Sequence, residues 1–236
     1  MEAANKGAGR DRSFGLNVEL PFEQSANPFI ATDDKLLEFK YFFTRKLFFL
    51  RETDAVVAFP GGYGTMDELY ECLTLTQTGK FGPAPIVLVD RPGGDYWQEW
   101  EAFSKDQLLQ KGLISEEDPC LYTITDRIDV ATEAITSFYR VYHSSRYVEH
   151  DLIMRLKIEL SDEDVARLNQ EYKDILVTDE IVKTPTLPEE AGDETVHLPR
   201  LKFHYNQRDT GRLYQLIYEI NRLGEPRLGE AHPEQR

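Results

Sequence analysis

Residues 55–59 (AVVAF) are apolar at every position, and the chain then runs through Pro60-Gly61-Gly62-Tyr63-Gly64-Thr65 into an amphipathic stretch. So short an apolar run suits a strand buried on both faces of a parallel sheet. A parallel strand obliges the chain to return through a crossover, usually a helix. The neighbouring segments repeat that theme. Residues 13–20 (SFGLNVEL), 85–90 (PIVLVD) and 120–125 (CLYTIT) read as strands. A loop with Pro21, Asn27 and Pro28 follows the first of them. Helical patterns fill 34–51, the stretch carrying Met66, Leu69, Tyr70 and Leu73, then 95–111 and 126–142.

The pattern at 34–51 has Leu36, Phe39, Phe43, Leu47 and Leu50 on one stripe, widened by Phe42, Phe48 and Phe49. Such a helix is expected to be buried on most sides, in keeping with a subunit interface. Strand–helix alternation through residue 142 predicts an α/β class, a Rossmann-like parallel sheet with right-handed crossovers and helices on both faces. The last third differs. Residues 152–160 (LIMRLKIEL) alternate as a half-buried strand, and Ser161 is placed to cap a helix with Val165, Leu168, Tyr172 and Ile175 on its apolar face. Residues 178–196 are acidic and proline-bearing and read as a mobile loop. Leu201, Phe203 and Tyr205 suggest another strand, and Leu213, Leu216, Ile217 and Ile220 a final helix. The expected organisation is a Rossmann-like domain over 1–144, a small α+β appendage over 145–224 and a disordered tail over 225–236.

A net charge of −15 disfavours nucleic acid or an anionic membrane as a main partner, because phosphate polymers repel such a surface. It leaves room for a small anion at a helix N-terminus. Cys72 and Cys120 fall in patterns of core helix and core strand, as buried thiols of a reducing compartment. With no signal peptide and no apolar run near a membrane span, a cytoplasmic location is expected. The five histidines show no metal-ligand spacing, so no metal is expected.

The glycine loop carries the chemistry. A buried strand that ends in P-G-G-Y-G-T and opens a helix can bind phosphate: glycines tolerate φ > 0 and let backbone N–H groups approach an anion, and the helix dipole adds positive field. The bland alternative is a capped βα turn, since Thr65 and Glu68 have the T-x-x-E spacing of a capping box. The loop lacks the G-K-[ST] ending of a Walker A motif and the spacing of G-x-G-x-x-G, which weakens ATPase and dinucleotide readings.

The string PGGYGTMDE resembles the P-G-G-x-G-T-x-x-E motif of the LOG family, the cytokinin-activating phosphoribohydrolases often described as lysine decarboxylase-like. About twenty residues upstream, Phe42-Phe43-Thr44-Arg45-Lys46 is similar to that family's M-x-x-R-K motif, with Phe42 in place of methionine. GLNVELPFEQ, LTLTQTGK and the C-terminal extension look like the longer bacterial branch. The resemblance implies cleavage of the N-glycosidic bond of a nucleoside 5′-monophosphate to free base and ribose 5-phosphate. By that resemblance Glu68 is the catalytic carboxylate, Arg45 its partner, and Gly61, Gly62, Gly64, Thr65 and Lys46 bind substrate or phosphate. No cofactor is implied, and neither Lys46 nor Lys80 is marked as the pyridoxal-phosphate lysine a decarboxylase would need. A homodimer or higher homo-oligomer is implied too. The family's glycine-rich loop G-G-G-P-G-I-M-E-A-A-N normally precedes a position like Met1, where this chain reads MEAANKGA, so the first βα units are expected to be missing from it. The reading from a different class is a non-catalytic nucleotide-binding or regulatory protein.

Overall fold

The computed structural model describes residues 2–19 and 28–231. It divides into two compact units, Met1–Thr53 and Asp54–Arg236. The first holds helix α1 (Glu2–Ala8), strands β1 (Gly15–Val18) and β2 (Leu36–Phe39), and helix α2 (Phe42–Arg51). β1 and β2 pair in parallel, Gly15 opposite Leu36 and Val18 opposite Phe39. Of the expected strand over 13–20 and the loop with Pro21, Asn27 and Pro28, residues 20–27 lie outside the described residues.

Of the helix expected over 34–51, only Phe42–Arg51 is helical, and Leu36–Phe39 is strand. The Asp33 carboxylate accepts from the Lys35 backbone N–H at 3.0 Å and from Arg10 Nε at 2.6 Å, fixing a turn. The Gly15 N–H then takes the Lys35 carbonyl, and the following backbone is committed to β1. Helix α2 is also far less covered than its composition suggested. Phe43 is 68% and Leu47 60% exposed, Phe42 and Phe48 are exposed as well, and Leu50 is the buried residue.

The second unit begins with β3 (Val56–Ala58), α3 (Tyr63–Gln77), β4 (Ile86–Val89), α4 (Tyr96–Phe103), β5 (Tyr122–Thr125) and α5 (Ile128–Phe138). β3, β4 and β5 form a parallel sheet in that order. The central strand β4 is buried at every residue, and Ala131 of α5 packs on Val87 and Val89. Parallel strands flanked by helices make this an α/β fold, as the alternating pattern requires. Among the described residues no helix is long and apolar enough to cross a membrane.

A second sheet follows, built from β6 (Tyr142–Val148), β7 (Asp151–Leu156), β8 (Leu176–Thr184) and β9 (Arg200–Tyr205), with α6 (Asp162–Glu171) and α7 (Thr210–Ala231). Its order is β6-β7-β9-β8, all pairs antiparallel. The expected strand over 152–160 ends at Leu156 and is buried on both faces from Leu152 onward. Ser161 caps α6 as expected, its Oγ accepting from the Asp164 N–H at 3.1 Å. Much of the expected 178–196 loop is ordered. β8 runs along the sheet edge, and a 3₁₀ turn at Pro188–Glu190 sends Glu190 into the interior. The expected tail is helical too: α7 continues to Ala231, while 232–236 lie outside the described residues. Cys120 stands in the 3₁₀ turn Asp118–Leu121 ahead of β5, half-buried, instead of in a core strand.

One apolar cluster joins Leu121 and Phe138 to β6, β7, β9, α6 and α7. Buried polar groups lock it. Asn221 Oδ1 accepts from the N–H groups of Val141 and Tyr142 at 2.7 and 2.9 Å, and its Nδ2 donates to the Phe138 carbonyl. The Tyr214 hydroxyl donates to the Ala84 carbonyl at 2.9 Å and accepts from the Ala84 N–H at 3.0 Å, tying α7 to the entry of β4.

Candidate active site

β3 ends at Ala58, and Phe59-Pro60-Gly61-Gly62 delivers the chain to the N-terminus of α3. Gly62 is the N-cap, in extended conformation at φ −89°, and has no side chain with which to cap the helix. Thr65 therefore lies in the first turn, three residues past the cap, and the Thr65–Glu68 capping box does not form. Its N–H bonds the Gly62 carbonyl at 3.1 Å instead. No acidic residue stands in the first turn, so nothing there offsets the positive end of the dipole.

The glycines are explained differently than expected. None of Gly61, Gly62 and Gly64 has positive φ. A Cβ on Gly61 would fall 2.1 Å from Thr65 Oγ1, so the loop closes on its own helix only with glycine there. A Cβ on Gly62 or Gly64 would meet nothing within 4 Å, so no packing inside the protein demands glycine at either. What their bareness does provide is an open approach to the first-turn N–H groups.

Glu68 follows Thr65 at i+3, on the same side of α3, and both are half-buried. Gly61, Gly62, Gly64, Thr65 and Glu68 thus stand together at one helix end. Arg45 and Lys46, both half-buried, stand in the first half of α2 in the other compact unit.

A cleft of about 590 Å³ opens beside the loop, walled by Phe59, Pro60, Asp90, Arg91, Tyr96 and Ile128. These residues lie at the carboxyl ends of β3 and β4 and the starts of α4 and α5, where ligands sit in open α/β sheets. The Tyr96 hydroxyl donates to the Gly61 carbonyl at 2.6 Å and so braces the glycine loop. Buried Asp90 accepts from the Arg91 N–H at 2.7 Å and faces the Trp97 N–H, which holds the start of α4. The sequence reading missed Asp90 and Tyr96. An aspartate directly after an apolar strand was the available signal for the first; nothing marked the second. Cys72, buried in α3, has its thiol pushed by burial up to about 11, too high to serve as a nucleophile at neutral pH.

Comparison with known proteins places this geometry in a family. Residues 1–135 match the family described as "possible lysine decarboxylase". A "probable cytokinin riboside 5′-monophosphate phosphoribohydrolase" of Oryza sativa subsp. japonica is 39% identical over 71 residues, 30% of this chain and 32% of that one. A cytokinin riboside 5′-monophosphate phosphoribohydrolase of Arabidopsis thaliana is 38% identical over 71 residues, 30% of this chain and 31% of its own. A further rice relative, also named as a probable enzyme of this kind, is 54% identical over 47 residues, 20% and 21% of the two chains. The chain spans about a third or less of the length of the curated relatives it matches. With more than half of its residues under one family match and that motif at the head of α3, the chain belongs to the LOG family, the group described as possible lysine decarboxylases.

Proposed function

We propose that the loop Gly61–Thr65 and Glu68 bind a nucleoside 5′-monophosphate and hydrolyse its N-glycosidic bond, releasing the base and ribose 5-phosphate. The observation that carries this reading is the N-terminus of α3, whose cap residue is a glycine with no side chain. It presents bare glycines and first-turn N–H groups with a carboxylate one turn further on. Phosphate takes the N–H groups and the helix dipole; Thr65 adds a hydroxyl donor. Departure of the base leaves an oxocarbenium-like ribose. The ionised Glu68 stabilises that cation and orients or deprotonates the attacking water. Arg45 and Lys46 are assigned by their sequence motif to hold the carboxylate ionised and to grip substrate oxygens. The relatives' names suggest a cytokinin ribotide as substrate, with adenosine 5′-monophosphate the parent compound to try first.

The test is incubation with adenosine 5′-monophosphate and N6-substituted analogues, with chromatographic assay of free base. Release that disappears in Glu68→Gln supports hydrolysis. Thermal stabilisation by the nucleotide without any release would replace it with a non-catalytic nucleotide-binding role.

A further inference from the structure

A second cavity, of about 200 Å³, lies on the other flank of α3. Tyr70, Leu73, Thr74 and Gln77 line it from one helix face, and Glu68 is roughly 200° round the helix from Tyr70. Three aromatic rings wall it. Trp100 stands edge-on to Tyr122 at 5.2 Å and tilted to Tyr70 at 6.1 Å, and its indole N–H donates to the Tyr70 hydroxyl at 3.0 Å.

The cavity also carries polar groups left over by the fold. Ser104 is 3% exposed, and its hydroxyl has no hydrogen-bond partner among the described residues. Buried polar atoms are nearly always paired, so this hydroxyl is an unmet bond behind the cavity wall, its oxygen having no surface open to the cavity. Ser104 opens a π-helical turn, Ser104–Leu109, whose wide ring is closed by the Gln110 N–H on the Lys105 carbonyl at 2.9 Å. Turns of this kind recur at functional sites. Across the cavity, buried Asp118 accepts from Gln77 Nε2 at 2.5 Å and the Ser115 N–H at 2.8 Å, both on Oδ2. Its Oδ1 accepts nothing among the described residues.

Size and charge narrow the occupant. The volume exceeds the roughly 150 Å³ cavity that takes a benzene ring and falls short of the roughly 300 Å³ at which drug-sized pockets begin. A single or fused ring fits. A carboxylate on the wall repels phosphate, and its free oxygen asks for an N–H donor. We propose that this cavity is a second ligand site, for a neutral planar heteroaromatic amine the size of a nucleobase without sugar or phosphate. The amine donates to Asp118 Oδ1, and the ring lies among Trp100, Tyr70 and Tyr122. This assignment does not depend on what the glycine loop does.

Trp97 and Trp100 are the chain's two tryptophans, so the site reports on itself. Adenine titrated into the 236-residue chain should change their emission saturably, and excess adenosine 5′-monophosphate should not displace it. Asp118→Asn, which keeps the side chain's size and removes its charge, should weaken adenine about tenfold, the worth of one hydrogen bond to a charged acceptor. Thr74→Phe, which plugs the mouth from the exposed side of α3, should abolish binding while leaving thermal unfolding unchanged. No saturable change up to millimolar adenine, displacement by the nucleotide, or unaltered binding in the folded variants would overturn the proposal.

Discussion

Gly61 and Gly62 are neighbours in one loop, yet they answer to different demands. A methyl at 61 collides with Thr65, whereas a methyl at 62 points into open space. Gly61→Ala should therefore cost about 1–3 kcal/mol of stability, as overpacking does. Gly62→Ala should stay within about 0.5 kcal/mol of the parent. If phosphate sits on the α3 N-terminus, Gly62→Ala should nevertheless weaken nucleotide binding. Urea unfolding together with nucleotide titration separates the two effects; equal stability loss in both variants would contradict the loop geometry. The residue scale is also where the capping-box reading failed. T-x-x-E spacing was visible in the sequence, but the helix starts three residues earlier because Gly62 takes the cap position. Local spacing identifies candidates for a cap; backbone entry angle chooses among them.

Elements were legible in proportion to how much their own residues determined them. β4 is apolar throughout and central, and α6 carries its capping box in its first four letters. Ser161→Ala should cost about 1 kcal/mol, read from chemical denaturation, because the Asp164 N–H then loses its acceptor. Three strands were hidden. β2 looked helical because Leu36 and Phe39 have helical i, i+3 spacing; Leu37 and Phe39 fit a strand as well, and only pairing with β1 decides between them. β6 is joined to β7 by a tight turn in which Glu149 takes positive φ at 54°, with no Gly or Asn to announce it. β8 is an edge strand in which Val177 is exposed and Ile181 fully buried.

At the scale of the molecule, buried ions hold the second sheet to its long connection. Glu190 is fully buried and accepts from Arg155 Nε at 2.9 Å and from Arg200 Nε at 2.8 Å; Arg155 also reaches Asp193. Burial alone pushes the Glu190 carboxyl up, but the hydrogen bonds from both guanidiniums outweigh it and bring the group below its ordinary 4.5. The stability it contributes is thus complete above that value and is lost as pH falls through the lowered one. The thermal unfolding temperature should drop on acidification below pH 4.5, and the drop should be smaller in Glu190→Gln. That variant should itself lose about 3–5 kcal/mol at neutral pH by stranding buried guanidinium charge. Tyr214→Phe should cost about 1–3 kcal/mol in the same denaturation assay, since it leaves the Ala84 N–H and carbonyl without their partner. From the sequence alone came the α/β class, the strand at 55–59 with its glycine loop and the helix of Met66, Leu69, Tyr70 and Leu73, and the motif that carries the proposed chemistry. Hydrophobic period and glycine placement are properties of neighbouring residues, so they are written locally. Tertiary structure alone decided that α3 begins at Gly62, that β2, β6 and β8 are strands, and that Asp118 lines one cavity with Tyr70, Trp100 and Tyr122. Each of these depends on pairing or packing between residues far apart in the chain, which no local pattern encodes.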